Sequence, residues 1–254
     1  MVITLYQQDI LWAQPEANRQ RVEAALAEAK CNIFVVPETF TTGFGDHMSA
    51  LAEPQEGATL QWAQRMAAQH NLLFVGTWIV QESGRCYNRL HWVYPDGTYD
   101  HYDKAHTFRV SGEADQISRG TERVVFEYKG WRIKPAVCYD LRFPKWLRNS
   151  GRSEELRTMN YDLLLVCANW PASRREAWNT LLKARAIENL CYVIGCNRSG
   201  TDGYGGEYSG DSAIVDYKGF PLHEATGEQC ITATLDKKKL DIFRQHWPFY
   251  LDFD

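Results

Sequence analysis

The sequence has no long apolar run, no excess of basic residues and no Cys-x-x-Cys pair. No apolar segment approaches the roughly 18 residues that a membrane-spanning helix needs. The first residues lack the basic and apolar regions of a signal peptide, so we expect a cytoplasmic location and no membrane partner. The formal net charge of -4 at pH 7 disfavours nucleic acid as a partner, because nucleic-acid binding requires a basic face.

The seven cysteines are scattered along the chain, and no Cys-x-x-Cys motif occurs among them. An odd number of scattered cysteines is typical of reduced thiols in a cytosol and not of a disulfide framework. The seven histidines show no His-Glu-x-x-His spacing, which argues against a zinc site. We therefore expect no metal in this protein.

The composition and the apolar patterns predict one α/β domain that spans residues 1–254. Hydrophobic residues make up 44% of the chain and charged residues 24%, and no linker or internal repeat is present. After Pro15, an apolar stripe that includes Val22 and Leu26 predicts an amphipathic helix. The apolar run 33–36 that follows is typical of a strand buried on both faces. Alternation of such strands and helices continues along the chain and indicates the α/β class.

Three segments are interpreted as polar connections between the regular elements, and one motif predicts the start of a helix. Residues 105–121 form a long excursion, and loops of that length are usually functional or mobile. Residues 145–160 are interpreted as a polar helix or loop. Residues 199–210 contain five glycines and are predicted as a loop, without the spacing or the lysine of a phosphate-binding loop. Ser173–Glu176 matches a Ser-x-x-Glu capping box, which predicts a helix running to about Asn189.

Reactive side chains stand just past the carboxyl ends of three separate predicted strands. These residues are Glu38, Lys104 and Cys138. In open α/β sheets, ligands bind at the carboxyl ends of the strands, so we expect the three side chains to face one site. Each has a common structural alternative: a buried cysteine, a solvated glutamate or a surface lysine. Their spacing alone leaves those alternatives open.

Acyl transfer from a carbon–nitrogen bond is the chemistry that needs these three groups together. A free thiol has a pKa near ~8.5, so an adjacent base such as Glu38 must take the proton of Cys138. The same carboxyl can return that proton to the departing nitrogen. The ammonium of Lys104 and the backbone N–H of Tyr139 would stabilise the oxyanion, and one such donor contributes roughly 3–4 kcal/mol.

The segments around these residues resemble the signature blocks of the nitrilase, or carbon–nitrogen hydrolase, superfamily. The blocks stand in the order and at about the separations found in that family, and the resemblance covers nearly the whole chain. They are Val36-Pro37-Glu38-Thr39-Phe40, Tyr102-Asp103-Lys104, Val137-Cys138-Tyr139-Asp140-Leu141-Arg142-Phe143-Pro144, Ala184-Arg185-Ala186-Ile187-Glu188-Asn189 and Gly210-Asp211-Ser212.

The resemblance implies an α-β-β-α sandwich whose protomers pair through their helices, as a homodimer or a higher homo-oligomer. It implies a cofactor-free triad of Glu38, Lys104 and Cys138 that works through a thioester. The family often adds a second glutamate after the lysine block, which holds the lysine and the hydrolytic water. Glu113 is the candidate for that role.

Within the superfamily the chain is most similar to bacterial ω-amidases, which remove ammonia from 2-oxoglutaramate and 2-oxosuccinamate. A small amide of this kind carries a remote carboxylate, which Arg174 or Arg175 at the predicted helix start would bind with the helix dipole. Arg142 either binds substrate or pairs with an acid such as Asp140. Trp170 is either a lid over the substrate or a packed wall, and Tyr139 is a further candidate for substrate binding.

Two alternatives remain open at the level of the sequence. The first is another amidase of the same superfamily, acting on deaminated glutathione, a carbamoylated amine or a nitrile. The stretch 168–176 carries two arginines and one acid, which favours an acidic substrate over a cationic one. The second alternative is a catalytically silent relative that serves as a binding or assembly module. The presence of Glu38, Lys104 and Cys138 together argues against it.

Overall fold

Two seven-stranded sheets and five helices make up the computed structural model, which describes residues 1–149 and 160–252. Residues 150–159 lie outside the described part, so most of the interpretation of 145–160 as a polar helix or loop does too. The strands are β1 Val2–Gln7, β2 Ile33–Val35, β3 Glu53–Pro54, β4 Leu73–Glu82, β5 Arg85–Val93, β6 Tyr99–Asp103, β7 Phe126–Tyr128, β8 Trp131–Val137, β9 Leu163–Ala168, β10 Tyr192–Asn197, β11 Ser199–Thr201, β12 Glu207–Val215, β13 Pro221–Thr226 and β14 Gln229–Thr234. The helices are α1 Pro15–Glu28, α2 Ala58–His70, α3 Glu113–Gln116, α4 Arg175–Asn189 and α5 Lys237–His246.

The two sheets have similar topologies, each with three parallel strands at its centre. The first sheet has the order β14-β1-β2-β4-β5-β6, and the second has the order β11-β12-β10-β9-β8-β7. Strands β1, β2 and β4 are parallel, as are β8, β9 and β10, and the flanking pairs are antiparallel. Since β5 is antiparallel to both β4 and β6, strand β6 runs in the same direction as β2. The carboxyl ends of β2 and β6 therefore lie at one edge of the first sheet.

The hydrophobic residues form three layers that account for the sandwich. Between the sheets, side chains such as Leu5 and Val35 of the first sheet pack against Ile133 and Leu165 of the second. Helices α1 and α2 cover the outer face of the first sheet, and α4 covers the outer face of the second. The predicted α-β-β-α sandwich in a single α/β domain is confirmed. Within residues 1–149 and 160–252, no helix is both long enough and apolar enough to cross a bilayer.

Two local predictions are wrong. Helix α4 begins at Arg175, because a 3₁₀ turn over Ala172–Arg174 precedes it, and its first residues carry no side-chain cap from Ser173. The predicted loop 199–210 is the hairpin of β11 and β12. Its glycines permit close packing: a Cβ atom on Gly200 would lie 2.0 Å from the Asp9 carboxylate. The short strands β3, β7 and β13 were also not predicted.

Candidate active site

Glu38 is fully buried just beyond the carboxyl end of β2. Its Oε1 accepts hydrogen bonds from Lys104 Nζ and from Asn88 Nδ2, both at 2.8 Å. Its Oε2 accepts the backbone N–H of Asn169 at 2.8 Å, and the Asn169 side chain donates to the Glu38 carbonyl. Because Asn169 follows β9, donors from both sheets hold this carboxylate in one orientation.

Lys104 follows β6 directly and is 1% exposed. Its Nζ lies 2.8 Å from Glu38 Oε1 and 2.9 Å from each carboxylate oxygen of Glu113. Burial disfavours the charged amine, but the carboxylates of Glu113 and Glu38 outweigh it and raise the pKa of Lys104 above its ordinary value. Lys104 is therefore a fixed ammonium at neutral pH.

Glu113 is fully buried at the start of α3, within the segment 105–121 that was predicted as an excursion. Its Oε2 accepts the backbone N–H of Phe108 at 2.6 Å, in addition to its contacts with Lys104. Burial raises the pKa of Glu113 above its ordinary value, the Lys104 ammonium opposes this rise, and the Glu38 carboxylate adds to it. The middle of the segment is thus folded against the lysine.

Cys138 is half-buried at the junction of β8 with the 3₁₀ turn Cys138–Arg142. Its backbone has φ +43°, a left-handed conformation that is uncommon for a residue with a side chain and that clusters at functional sites. The thiol lies 3.8 Å from the Asn169 carbonyl oxygen. Burial raises the pKa of Cys138 well above its ordinary value, and the nearby Glu38 carboxylate raises it further against the effect of Lys104. The resting thiol is therefore protonated and needs a base to become a nucleophile.

Cys138 and Lys104 line one cavity of about 350 Å³ between the loops of the two sheets. Aromatic rings make up much of its wall, which suits a small organic ligand. Its other lining residues are Phe44, Gly45, Asp46, Phe108, Ser111, Tyr139, Arg142, Asn169, Trp170, Pro171, Arg174, Asp202, Tyr204 and Tyr208. Of the residues predicted to bind substrate, Tyr139, Arg142, Trp170 and Arg174 are among them, and Arg175 is not.

Two arginines of the cavity wall are held over aromatic rings. The guanidinium of Arg142 lies 4.8 Å from the centre of the Trp170 ring, and that of Arg174 lies 5.1 Å from the centre of the Phe108 ring. Neither forms an ion pair within the described residues, 1–149 and 160–252. The suggested pairing of Arg142 with Asp140 is therefore wrong, because the Asp140 carboxylate accepts hydrogen bonds from Tyr102, His106 and Val137 instead.

Arg175 does not bind in the cavity and Trp170 is not a mobile lid, although both roles were suggested by the sequence. Arg175 forms an ion pair with Asp211 at 2.6 Å and does not line the cavity. Trp170 is 3% exposed and packs against Trp178, and its Nε1 donates to the Arg174 carbonyl at 2.9 Å. It is therefore a fixed wall of the cavity, and the lid interpretation is wrong.

Sequence reasoning missed two asparagines that organise the acids. Asn88 lies in β5 and donates to Glu38 at 2.8 Å and to Glu113 at 3.3 Å. Asn169 holds Glu38 through its backbone and side chain. The available signals were weak: a polar residue inside a strand for Asn88, and a polar residue just past a strand for Asn169.

Comparisons with known proteins show the family to which the chain is similar. The carbon–nitrogen hydrolase family model matches residues 2–245. The chain is 40% identical to an omega-amidase YafV of Yersinia enterocolitica, over 99% of this chain and 96% of that protein. It is 32% identical to a 2-oxoglutaramate amidase of Bacillus subtilis, over 98% and 96% of the two chains.

A solved structure is also very similar to the whole chain. It is a carbon–nitrogen hydrolase superfamily protein of Xanthomonas campestris with an arsenic adduct in its active site. The two superpose with a TM-score of 0.97 at 41% identity, covering 100% of this chain and 97% of that one. This chain therefore belongs to the carbon–nitrogen hydrolase family and is an amidohydrolase.

Proposed function

We propose that this enzyme is an ω-amidase, which hydrolyses the terminal amide of 2-oxoglutaramate or 2-oxosuccinamate to the 2-oxo-dicarboxylate and ammonia. The proposal rests on one cavity, which is lined by Cys138 and the Lys104 ammonium. Arg142 and Arg174 also line this cavity, and within the described residues neither of them forms an ion pair. The similarity to proteins named omega-amidase and 2-oxoglutaramate amidase supports the same substrate class.

In the first half of the proposed reaction, Glu38 takes the proton of the Cys138 thiol as the sulfur attacks the amide carbon. A carbon–sulfur bond forms and the carbonyl oxygen becomes an oxyanion. The Lys104 ammonium and the backbone N–H of Tyr139 donate to that oxygen, since the N–H groups at the start of the 3₁₀ turn have no partner inside the turn. Glu38 then protonates the nitrogen, the carbon–nitrogen bond breaks, and ammonia leaves a thioester behind.

In the second half, a water molecule attacks the thioester carbon and Glu38 accepts its proton. The carbon–sulfur bond breaks, the acid is released and the proton returns to the sulfur of Cys138. Glu113 supports this cycle by balancing the charge of Lys104, which keeps the ammonium in place while Glu38 alternates between its two protonation states. The buried amide of Asn88, which bridges both acids, favours the same arrangement.

The charges of the cavity favour a substrate with a remote carboxylate. Arg142 and Arg174 present guanidinium groups, and Arg174 directly precedes α4, whose helix dipole adds positive potential. Of the two acids in the lining, Asp202 is occupied inside its hairpin, where it accepts from the backbone of Tyr204 and Gly206. The cavity therefore suits an anion better than a cation.

The test is ammonia release from 2-oxoglutaramate, with glutamine, asparagine and a simple nitrile as competing candidates. We expect fast release from the 2-oxo amide and slow or no release from the others, because the α-ammonium of the amino acids would meet arginines. Cys138→Ala should remove the activity, and Cys167→Ala, which alters a fully buried core cysteine, should keep it. Preference for glutamine or for the nitrile would contradict the proposed substrate class.

We also propose that the enzyme acts as a cytoplasmic homodimer, paired through its outer helices. Support comes from apolar side chains on the outer surface, where Ile187 of α4 is 54% exposed and Phe220 of the neighbouring turn is 65% exposed. Light scattering of the purified protein should give twice the mass of one chain. A single-chain mass at micromolar concentration would contradict this.

A further inference from the structure

The Asp140 carboxylate is fully buried and accepts four hydrogen bonds, although it does not line the cavity. Its Oδ1 accepts the backbone N–H of His106 at 2.9 Å and lies 2.7 Å from His106 Nδ1. Its Oδ2 accepts the Tyr102 hydroxyl at 2.9 Å and the backbone N–H of Val137 at 3.0 Å. A carboxylate oxygen accepts, so Nδ1 carries the proton of the His106 ring.

These four bonds connect the two sheets at the residues that flank the reactive groups. Tyr102 and His106 stand two positions before and two positions after Lys104, in the segment that leaves the first sheet. Val137 and Asp140 flank Cys138 in the second sheet. One side chain therefore ties a residue on each side of the lysine, Tyr102 through its hydroxyl and His106 through its backbone and ring, to the turn that carries the thiol.

The two donors from the first sheet are themselves held in place. The Tyr102 hydroxyl accepts hydrogen bonds from the Ala105 N–H at 3.3 Å and from Trp146 Nε1 at 3.2 Å. Burial, with the charge of Asp140, raises the pKa of Tyr102 well above its ordinary value, so the hydroxyl stays a donor. The His106 ring stacks on Phe143 with 3.7 Å between ring centres.

We propose that Asp140, with Tyr102 and His106, is a positioning device that sets the Lys104 ammonium at the distance from Cys138 that the oxyanion requires. This inference rests on the proposed acyl-transfer function of the same site. A carboxylate that merely capped the turn would need the Val137 N–H and no donor from the other sheet. Errors of about 1 Å in such an arrangement lower rates roughly a hundredfold, so a rigid tie between the sheets has a catalytic effect.

The test compares two reactions of Cys138 in variants that remove one donor each. Acetylation by p-nitrophenyl acetate forms an oxyanion, and alkylation by iodoacetamide forms none. In Tyr102→Phe and in His106→Leu we expect acetylation to slow by roughly tenfold or more, with alkylation within about twofold of the unaltered enzyme. His106→Asn, which restores an N–H donor near the Nδ1 position, should recover much of the acetylation rate.

Tyr161→Phe is the matched control, because Tyr161 is equally buried and donates to the Leu147 carbonyl away from the cavity. It should leave both rates unchanged even if it lowers the melting temperature. Equal loss of both rates in Tyr102→Phe and His106→Leu, or no loss of either, would overturn the positioning role. An unaltered enzyme whose Cys138 reacts with neither reagent would instead overturn the acyl-transfer function on which the inference rests.

Discussion

Lys104 and Lys134 are both almost fully buried, yet their surroundings favour opposite charge states. Lys104 lies within 2.9 Å of two carboxylates, which raise its pKa despite burial. Lys134, in β8, forms no ion pair within the described residues, and its Nζ lies 5.7 Å from the centre of the Trp146 ring. Burial lowers the pKa of Lys134 to about 8, Arg123 adds to the effect, and Asp140 opposes it.

The difference shows that burial alone does not identify a functional lysine. A buried ammonium persists where carboxylates surround it, and only such a fixed charge can stabilise an oxyanion without reorganisation. At Lys134 burial of the charged form lowers the free energy of unfolding. The lowering of the pKa from 10.5 to about 8 corresponds to at most about 3 kcal/mol. The two lysines therefore provide matched sites for substitution.

The largest expected effect is that of Lys104→Met. We expect turnover to fall by roughly 100- to 1,000-fold because an oxyanion donor is lost. The variant should also lose about 3–5 kcal/mol of unfolding free energy, since Glu38 and Glu113 would be left as uncompensated buried acids. Single-turnover kinetics and denaturant titration measure the two effects, with Lys134→Met as the control that keeps its turnover within about twofold. Similar turnover losses in both variants would remove the functional distinction between the lysines.

A smaller effect of opposite sign is expected for the stability of Lys134→Met. The folded-state pKa of Lys134 is about 8 and lies below the ordinary value near 10.5, so the folding penalty is full below pH 8 and disappears as pH rises toward 10.5. Methionine keeps the apolar stem and removes the charge, so the variant should be more stable than the unaltered protein at pH 7. Thermal melting at several pH values measures this advantage, which should shrink between pH 8 and pH 10. A constant or growing difference would contradict the assigned charge state.

Arg174 and Arg175 form a second pair of cations that differ in their partners, but here the unpaired one lines the cavity. The expected effect of their substitution on the enzyme's kinetics is smaller than that of Lys104→Met. Arg174 lines the cavity, whereas Arg175 pairs with Asp211 outside it. Arg174→Gln should raise the KM for 2-oxoglutaramate by about tenfold, close to 1.4 kcal/mol, with kcat less affected. Arg175→Gln should change KM by less than about twofold. A larger KM effect at Arg175 would place the substrate carboxylate elsewhere.

The strand ends were predictable because the chain marks them clearly. At Glu38 and Cys138 an apolar run stops abruptly at polar residues or proline, and the packing of the two sheets then brings these ends, one from each sheet, to Asn169, which contacts both residues. Glu113 was reached only through the family resemblance, since its position depends on how 105–121 folds. One contact that holds this segment is the hydrogen bond from the backbone N–H of Phe108 to the Glu113 carboxylate. A contact of this kind cannot be predicted from a pattern of residues.

The remaining errors concern features that depend on the exact start of a helix or on tertiary packing. Helix α4 starts one residue later than the capping box predicted, so sequence could not separate the cavity-lining Arg174 from the paired Arg175. Asn88 was missed because an asparagine in a strand is ordinarily solvent-facing, and only tertiary packing buries it between two acids. The glycines of 199–210 led to the prediction of a loop, although they permit close contact in a hairpin.

In the proposed reaction, Cys138 breaks a carbon–nitrogen bond beside the Lys104 ammonium. The most direct measurement is acid quenching of the enzyme within milliseconds of mixing with 2-oxoglutaramate, followed by peptide mass mapping. We predict a thioester on the peptide that contains Cys138, with the mass of the substrate less ammonia, and no such adduct in Glu38→Gln. An adduct on another cysteine, or turnover in which no adduct forms at any time, would contradict the proposed role of Cys138.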